Sequence, residues 1–535
     1  MDSAITQLRV FVFGAIAAFI LVGLPNNASS QVTAFKQAIA EAAATDADIA
    51  SFYKGVAYQS LWTGASDLEQ QRRIELFKAL SRAVNHGLPI AQYDIAGLRA
   101  QMKAANSPRE RGLVEVEISR TFLQYVRDIQ TGVLVPGRVD KAIARQVDYK
   151  DRTSSLVNFS VSSPSDFFKA LAPKTFEYTS LMSEKLRLER VLADGGWGPK
   201  VSAEVLKPGQ AGPQVAAMRD RLVAMGFLMR TNGQHYDAKM QSAVQKFQTA
   251  HGLAADGVAG ASTIGEINKG VETRLKSIIV SMERERWMEK TRGNRHVLVN
   301  IPDFTAKIID SGKVTFSTRS VVGAFRTGRL TPEFSDVMEF LIINPSWHVP
   351  RSIITKEYLP QLQDDPNAVS HIEITDRRGQ RVDRSVVDFT QFTSKDFPFA
   401  MRQPPSKGNA LGLVKFMFPN RHNIYLHDTP QKSLFAREVR AFSHGCVRLG
   451  DPFDFAYAIL AKQEGNPKDF FQKVLSTRKE TRVDLISPVP VHIVYRTAFI
   501  NDKGQAQYRR DIYGRNDRIW KALVDEGVVL SSLQG

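Results

Sequence analysis

The chain holds a single cysteine, Cys446, among 535 residues. It stands in Ser-His-Gly-Cys-Val-Arg, residues 443–448, and a second histidine, His427, lies nineteen positions upstream in Tyr-Leu-His-Asp-Thr, residues 425–429. A thiol attacks a carbonyl as its thiolate, so it needs a base within hydrogen-bond reach and N–H donors aimed at the oxyanion that develops. His427 and His444 are the two candidate bases. Gly445 permits a tight turn that aims successive N–H groups at one point. A lone cysteine is ordinarily a buried packing residue. Flanked by His and Gly in a chain that keeps no other thiol, this one reads as a nucleophile. A zinc site from His427, His444 and Cys446 is disfavoured, because it would need a fourth ligand and His-x-Cys is not a usual zinc spacing.

The rest of the chain must position that constellation and bring it to a substrate. At this length more than one domain is expected, and 43% hydrophobic with 24% charged residues is the mix of a globular protein. One thiol excludes an intrachain disulfide, a Cys-rich zinc module and an iron–sulfur cluster, and no cofactor is called for. The 71 Lys and Arg against 55 Asp and Glu leave a formal charge of +16, which favours an anionic partner: nucleic acid, anionic lipid or cell-wall polymer. Arg9, the apolar run Val10 to Leu24, Pro25 and the small residues Ala28 to Ser30 have the shape of a secretory signal peptide over residues 1–30. An uncleaved inner-membrane anchor is the alternative. Either way the bulk of the chain is exported, to the periplasm on this reading, and contact with the membrane is limited to that segment. Nothing resembles a nucleic-acid-binding signature.

Residues 31–206 read as a helical scaffold, with Ile74, Phe77, Leu80 and Val84 and then Phe122, Val126 and Ile129 at helical spacing, closed at Gly87–Pro89 and at Pro136. Residues 207–269 read as three short helices: one opened by Gly212–Pro213, one N-capped by Asp237, and one begun by a capping box at Thr263–Glu266. A charged linking helix follows over 270–294. From 295 to 535 the period changes to two, with hairpins about Ser311–Gly312 and Asn501–Gly504, interrupted by a polar insertion over about 352–408. The expected class is α+β and multidomain: helical scaffold, three-helix unit, predominantly β domain.

Two strings go further. VAAMRDRLVAMGF, YDAKMQSAVQKFQTAHGL and DGVAGASTIGEIN resemble the peptidoglycan-binding domain family, which implies peptidoglycan as the anionic partner. Ser-His-Gly-Cys-Val-Arg with His-Asp-Thr upstream resembles the catalytic motif of the L,D-transpeptidases. The flanking segments WMEKTRGNRHVLVNIPDF, FLIINPSWHVP and NALGLVKFMFPN resemble the large Gram-negative type, with a capping insertion in the catalytic domain. The resemblance implies Cys446 as nucleophile, His427 as general base and acid, His444 shaping the pocket, and Gly445 with Cys446 supplying oxyanion N–H groups. It implies Arg448 on a substrate carboxylate, with Tyr425, Trp347 and Phe416 as pocket walls. Asp428 stands where the family usually has Gly; it orients His427 by its side chain or through its backbone carbonyl. The implied reaction forms a thioester with the third residue of a tetrapeptide stem, releases D-Ala, and passes the acyl group to a stem amine in a 3→3 cross-link. Hydrolysis, attachment of an outer-membrane protein, and non-catalytic wall binding remain as alternatives.

Overall fold

The computed structural model describes residues 27–231, 233–288, 292–326 and 328–530. The expected leader up to residue 26 lies outside the described residues. Among the described residues no helix is long and apolar enough to cross a membrane. The chain divides into two compact units, one holding the described residues up to Gln70 with Ala96–Arg120, the other Gln71–Ile95 with the chain from Thr121 on.

In the first unit, fully buried Glu115 organises the loop after helix Ala47–Gly55. Its carboxylate accepts from Tyr53 Oη at 2.9 Å, Trp62 N at 2.9 Å, Thr63 N at 2.8 Å and Thr63 Oγ1 at 2.7 Å. A carboxylate without water is tolerable only with such saturation.

The second unit begins inside helix Asp67–Ser81. Phe77 and Leu80 of that helix are buried, whereas Ile74 of the expected stripe is 61% exposed. The helix Pro108–Thr131 ends at Gly132 in the left-handed region rather than at Pro136, which instead opens the short helix Pro136–Val139. The three-helix unit comprises Pro213–Ala224, Ala238–Ala250 and Ala261–Ile267 around Val215, Met218, Leu222, Met240, Val244 and Phe247. Asp237 caps the second helix by accepting from Met240 N at 2.8 Å. The third has no capping box. Thr263 lies inside it with Oγ1 accepting from Gln248, and Glu266 pairs with Arg274 at 3.0 Å.

The linking helix, Val271–Arg286, is a buried beam despite its charge. Its last turn carries ions that all find partners: Glu283 meets Arg286 at 2.8 Å, Glu285 meets Arg292 and Arg496 at 2.5 Å each, and Arg284 meets Glu333. Removing one partner would strand a buried charge.

The strands of the C-terminal domain are β1 (Arg295–Asn300), β2 (Thr305–Asp310), β3 (Lys313–Gly323), β4 (Phe334–Ile343), β5 (Trp347–His348), β6 (Glu373–Thr375), β7 (Ala400–Gln403), β8 (Val414–Met417), β9 (Leu426–His427), β10 (Ala441–Ser443), β11 (Val447–Leu449), β12 (Thr481–Val494), β13 (Ala498–Ile500) and β14 (Ala506–Tyr508). Nine of them form one sheet in the order β10-β3-β11-β9-β8-β4-β12-β1-β2, which closes on itself because β2 also pairs with β3. Val297, Val299, Met338, Leu341, Phe416, Leu426, Val447 and Ile493 fill its interior with Phe455 and Ile459 of helix Pro452–Leu460.

Between β4 and β8 the chain leaves this sheet and builds a second small one, β5-β7-β6, over a separate core of Ile354, Leu359, Leu362, Ile374, Phe389, Phe397 and Met401. The insertion is wider than 352–408, since β5 ahead of that range pairs with β7 inside it.

Candidate active site

The eighteen residues between His427 and Cys446 form a crossover that lays β9 and β11 side by side in parallel, with Leu426 opposite Val447 and His427 opposite Arg448. His427 ends β9 and Cys446 immediately precedes β11, so the register sets Cys446 level with Tyr425, two positions along the ladder from His427 and on the same face.

The turn between β10 and β11 is fixed from several sides. Gly445 has φ +118°, a conformation that disfavours any side chain, and a Cβ there would meet Ile424 at 3.2 Å. Its carbonyl accepts from Thr331 Oγ1 at 2.7 Å. Its N–H donates to Ser443 Oγ at 3.1 Å, and that hydroxyl donates to the Cys446 carbonyl at 2.6 Å. Gly445 is thereby committed inside the turn and is not the oxyanion donor that its position in the motif suggests. The N–H of Cys446 has no acceptor among the described residues. Ser443 and Thr331 are turn-holding residues that sequence reasoning missed: Ser443 lay inside the motif string unremarked, and Thr331 is brought in only by the fold.

His427 is buried, 4% exposed, and its Nδ1–H donates to the Asp428 carbonyl. A carbonyl can only accept, so the proton sits on Nδ1 and the Nε2 lone pair is left to take a proton. The Asp428 carboxylate points elsewhere, accepting from Leu413 N at 2.9 Å, Thr429 N at 2.6 Å and Lys432 Nζ at 2.7 Å. Asp428 therefore orients the base through its backbone, not its side chain. Gly412 makes the room, since a Cβ there would fall 2.2 Å from Asp428 Oδ2.

The Cys446 thiol donates to the Asn423 carbonyl at 3.5 Å and lies close to Tyr425, whose hydroxyl is also near Trp347. No hydrogen bond joins it to His427 among the described residues; such bonds are often absent until substrate is bound. Burial pushes the thiol up to about 11, against the opposing pull of Tyr425, Arg448 and Lys415. Burial first, then Arg448, holds His427 down at about 3. Both groups are therefore neutral across the physiological range, so the resting site holds a thiol and an imidazole, not an ion pair.

Arg448 gives Nη1 to Gln431 at 2.6 Å and keeps a buried Nε without a partner, so it retains donor capacity. Trp347 is 9% exposed and packs edge-on against Tyr358 at 6.3 Å. Phe416 is not a pocket wall. It is fully buried in the sheet interior, edge-on to Phe455 at 4.8 Å, because the alternation of β8 turns it inward while Lys415 faces the other way. His444 turns outward to the insertion, where its Nε2 meets Glu357 at 2.7 Å and the same carboxylate holds Arg329 at 2.6 Å. Glu357 lies in a π-helical segment, Ile354–Tyr358, a form often found at functional sites.

With this geometry in hand, the comparisons are specific. Residues 294–491 match the family described as the L,D-transpeptidase catalytic domain. The chain carries an L,D-transpeptidase catalytic domain. Residues 47–184 match a scaffold domain, and residues 211–267 match the family described as "Putative peptidoglycan binding domain". The chain is 34% identical over 240 residues to a Haemophilus influenzae protein named "Putative L,D-transpeptidase", covering 44% of this chain and 48% of that one. The chain thus spans about half the length of that relative. Two solved structures are similar at 14% identity. They are the L,D-transpeptidase of Xylanimonas cellulosilytica, covering 56% of this chain and all of the other with a TM-score of 0.17, and that of Stackebrandtia nassauensis, covering 56% and 97% with a TM-score of 0.21.

Proposed function

We propose that the protein is an L,D-transpeptidase that forms 3→3 cross-links in peptidoglycan. The observation that carries this reading is the pairing of β9 with β11, which sets a buried imidazole with a free Nε2 beside the strand that follows the only thiol. On attack, the Cys446 proton passes to His427 Nε2 as Sγ bonds to the carbonyl carbon of the diamino acid at position three of a tetrapeptide stem. The charge that develops on oxygen is met by the Cys446 N–H. The C–N bond then breaks, the imidazolium returns its proton to the departing D-Ala amine, and a thioester remains. A side-chain amine of another stem attacks the thioester, its proton goes to His427, and the sulfur leaves and recovers it. Because thiol and imidazole are neutral at rest, proton transfer accompanies attack rather than preceding it.

The same thioester resolves with water as hydrolysis and with a protein amine as attachment of an outer-membrane protein to the wall. The insertion whose Glu357 reaches His444 favours transfer to an amine, because a covered site excludes water. The apolar run Val10 to Leu24 supports export, and the periplasm is the proposed compartment. The test is mass spectrometry of tetrapeptide muropeptides incubated with the purified chain. Cross-linked dimers with loss of D-Ala are expected, and none with Cys446→Ala; dimers formed equally by that variant would overturn the assignment. A carbapenem should add its mass to the chain at Cys446 and leave the variant unmodified.

A further inference from the structure

Away from Cys446, a cavity of about 1000 Å³ opens between the three-helix unit and the β13–β14 hairpin. That is at the upper end of ligand-site volumes, roughly 300–1000 Å³, and enough for a short peptide. One wall is the outer face of helix Ala238–Ala250, with Ser242, Gln245, Lys246 and Thr249; the facing wall is the hairpin tip, with Asn501, Asp502, Lys503 and Gln505. The two walls are locked together at the base. His251 stacks on Phe247 at 3.8 Å and on Tyr508 at 5.5 Å, Arg274 lies over the Tyr508 ring at 4.8 Å, and Arg509 holds the Ala250 carbonyl at 2.9 Å.

Two features of the lining identify the ligand chemistry. Little ring face is left for a sugar: Phe227 packs on Phe247 at 5.3 Å, Tyr508 is stacked on by His251 and covered by Arg274, and Trp197, the remaining aromatic of the lining, is only 7% exposed. What the walls offer is amides, hydroxyls and charge. Glu184 is held by Arg187 at 2.7 Å and Arg274 by Glu266 at 3.0 Å, so these ions are neutralised. Lys246, Lys503 and Asp502 have no ion-pair partner among the described residues. Two free ammonium groups and one free carboxylate, set among amide side chains, complement a peptide that bears both carboxylates and an amine.

We infer that this groove binds a diamino-acid stem peptide of peptidoglycan, not its glycan, and that the catalytic domain's hairpin supplies half of the site. The inference rests on the proposed wall-linked function and adds which part of the polymer is held and by which two walls. Binding there would tether one stem to a surface rigidly joined to the catalytic sheet while Cys446 works on others.

The test uses the full chain and a tetrapeptide muropeptide carrying a photoreactive group, with crosslinked peptides mapped by mass spectrometry. Adducts are expected in 242–251 and 501–508, reduced about tenfold or more by Lys246→Glu with Lys503→Glu and by amidating the stem carboxylates. Glycan strands stripped of peptide should not compete. Unchanged thermal unfolding of the double variant, and a Lys246→Ala, Lys503→Ala pair with a smaller loss in the same direction, separate recognition from misfolding. Absence of adducts in both segments, yields indifferent to charge, or competition by bare glycan would each overturn the groove assignment. If the unmodified chain also yields no cross-linked dimer, the failure belongs to the underlying function instead.

Discussion

The catalytic turn and the insertion above it are held by different kinds of structure. Residues 443–446 are tied to the barrel by Ser443, Thr331, the left-handed Gly445 and the β9–β11 ladder, each a short contact to buried backbone. The insertion has its own core and its own small sheet, and it reaches the turn through the Glu357 carboxylate and through Trp347 and Tyr358 near Tyr425. The Glu357 contacts, half-exposed and polar, are worth far less than buried ones. The difference teaches that the geometry of attack is built to be invariant, while the covering of the site is built to be adjustable.

Gly445→Ala should break the invariant side most severely. It forces a side chain into φ +118° and against Ile424, and kcat/KM for dimer formation should fall by about a hundredfold or more, on the scale of losing an oxyanion donor. Activity within a few-fold of wild type would mean that the turn is softer than its contacts imply. Ser443→Ala removes one hydroxyl that bridges Gly445 N and Cys446 O. A loss of about tenfold is expected, mainly in kcat, since substrate binding surfaces are untouched. Stopped-flow measurement of acylation by a carbapenem would reveal it as a slower first step.

On the adjustable side, Glu357→Gln keeps the shape but weakens the tie to both His444 and Arg329. The expected change is smaller, about two- to fivefold, and it should appear in the ratio of hydrolysed to cross-linked product rather than in acylation. An unchanged ratio would show that this tie does not govern water access. The pH dependence sharpens the resting state of the turn itself. With the thiol held up at about 11, alkylation of Cys446 by iodoacetamide should keep accelerating above pH 9. A plateau below pH 8 would reveal a preformed thiolate. With His427 at about 3, acylation should not lose its base as pH falls from 7 to 5, because the imidazole is still unprotonated there.

Much of this was legible in the chain. The lone thiol with two flanking histidines, the apolar stripe and Asp237 cap of the three-helix unit, and the turns at Ser311–Gly312 and Asn501–Gly504 are local signals, carried by residue type and spacing. Others misled because burial has no local signature. The charge-rich string at the end of the linking helix carries no local sign of burial, yet Glu283, Arg284, Glu285 and Arg286 are buried, with Arg284 meeting Glu333 and Glu285 meeting Arg496. Thr263–Glu266 had the spacing of a capping box, but Gln248 and Arg274 claim those side chains. Phe416 lay near the motif in sequence and faces the opposite side of its strand.

The sequence by itself determined the candidate reacting groups, the α+β multidomain class and the existence of an insertion, because residue type, spacing, periodicity and breakers are properties of residues and their neighbours. Only the tertiary structure decided how those groups are used. It assigned the Asp428 carbonyl to His427, committed the Gly445 N–H to Ser443, turned His444 toward Glu357, and raised the thiol by burial. Hydrogen-bond partners and desolvation are set by what lies across space, and the β9–β11 crossover and the insertion are what bring those partners there.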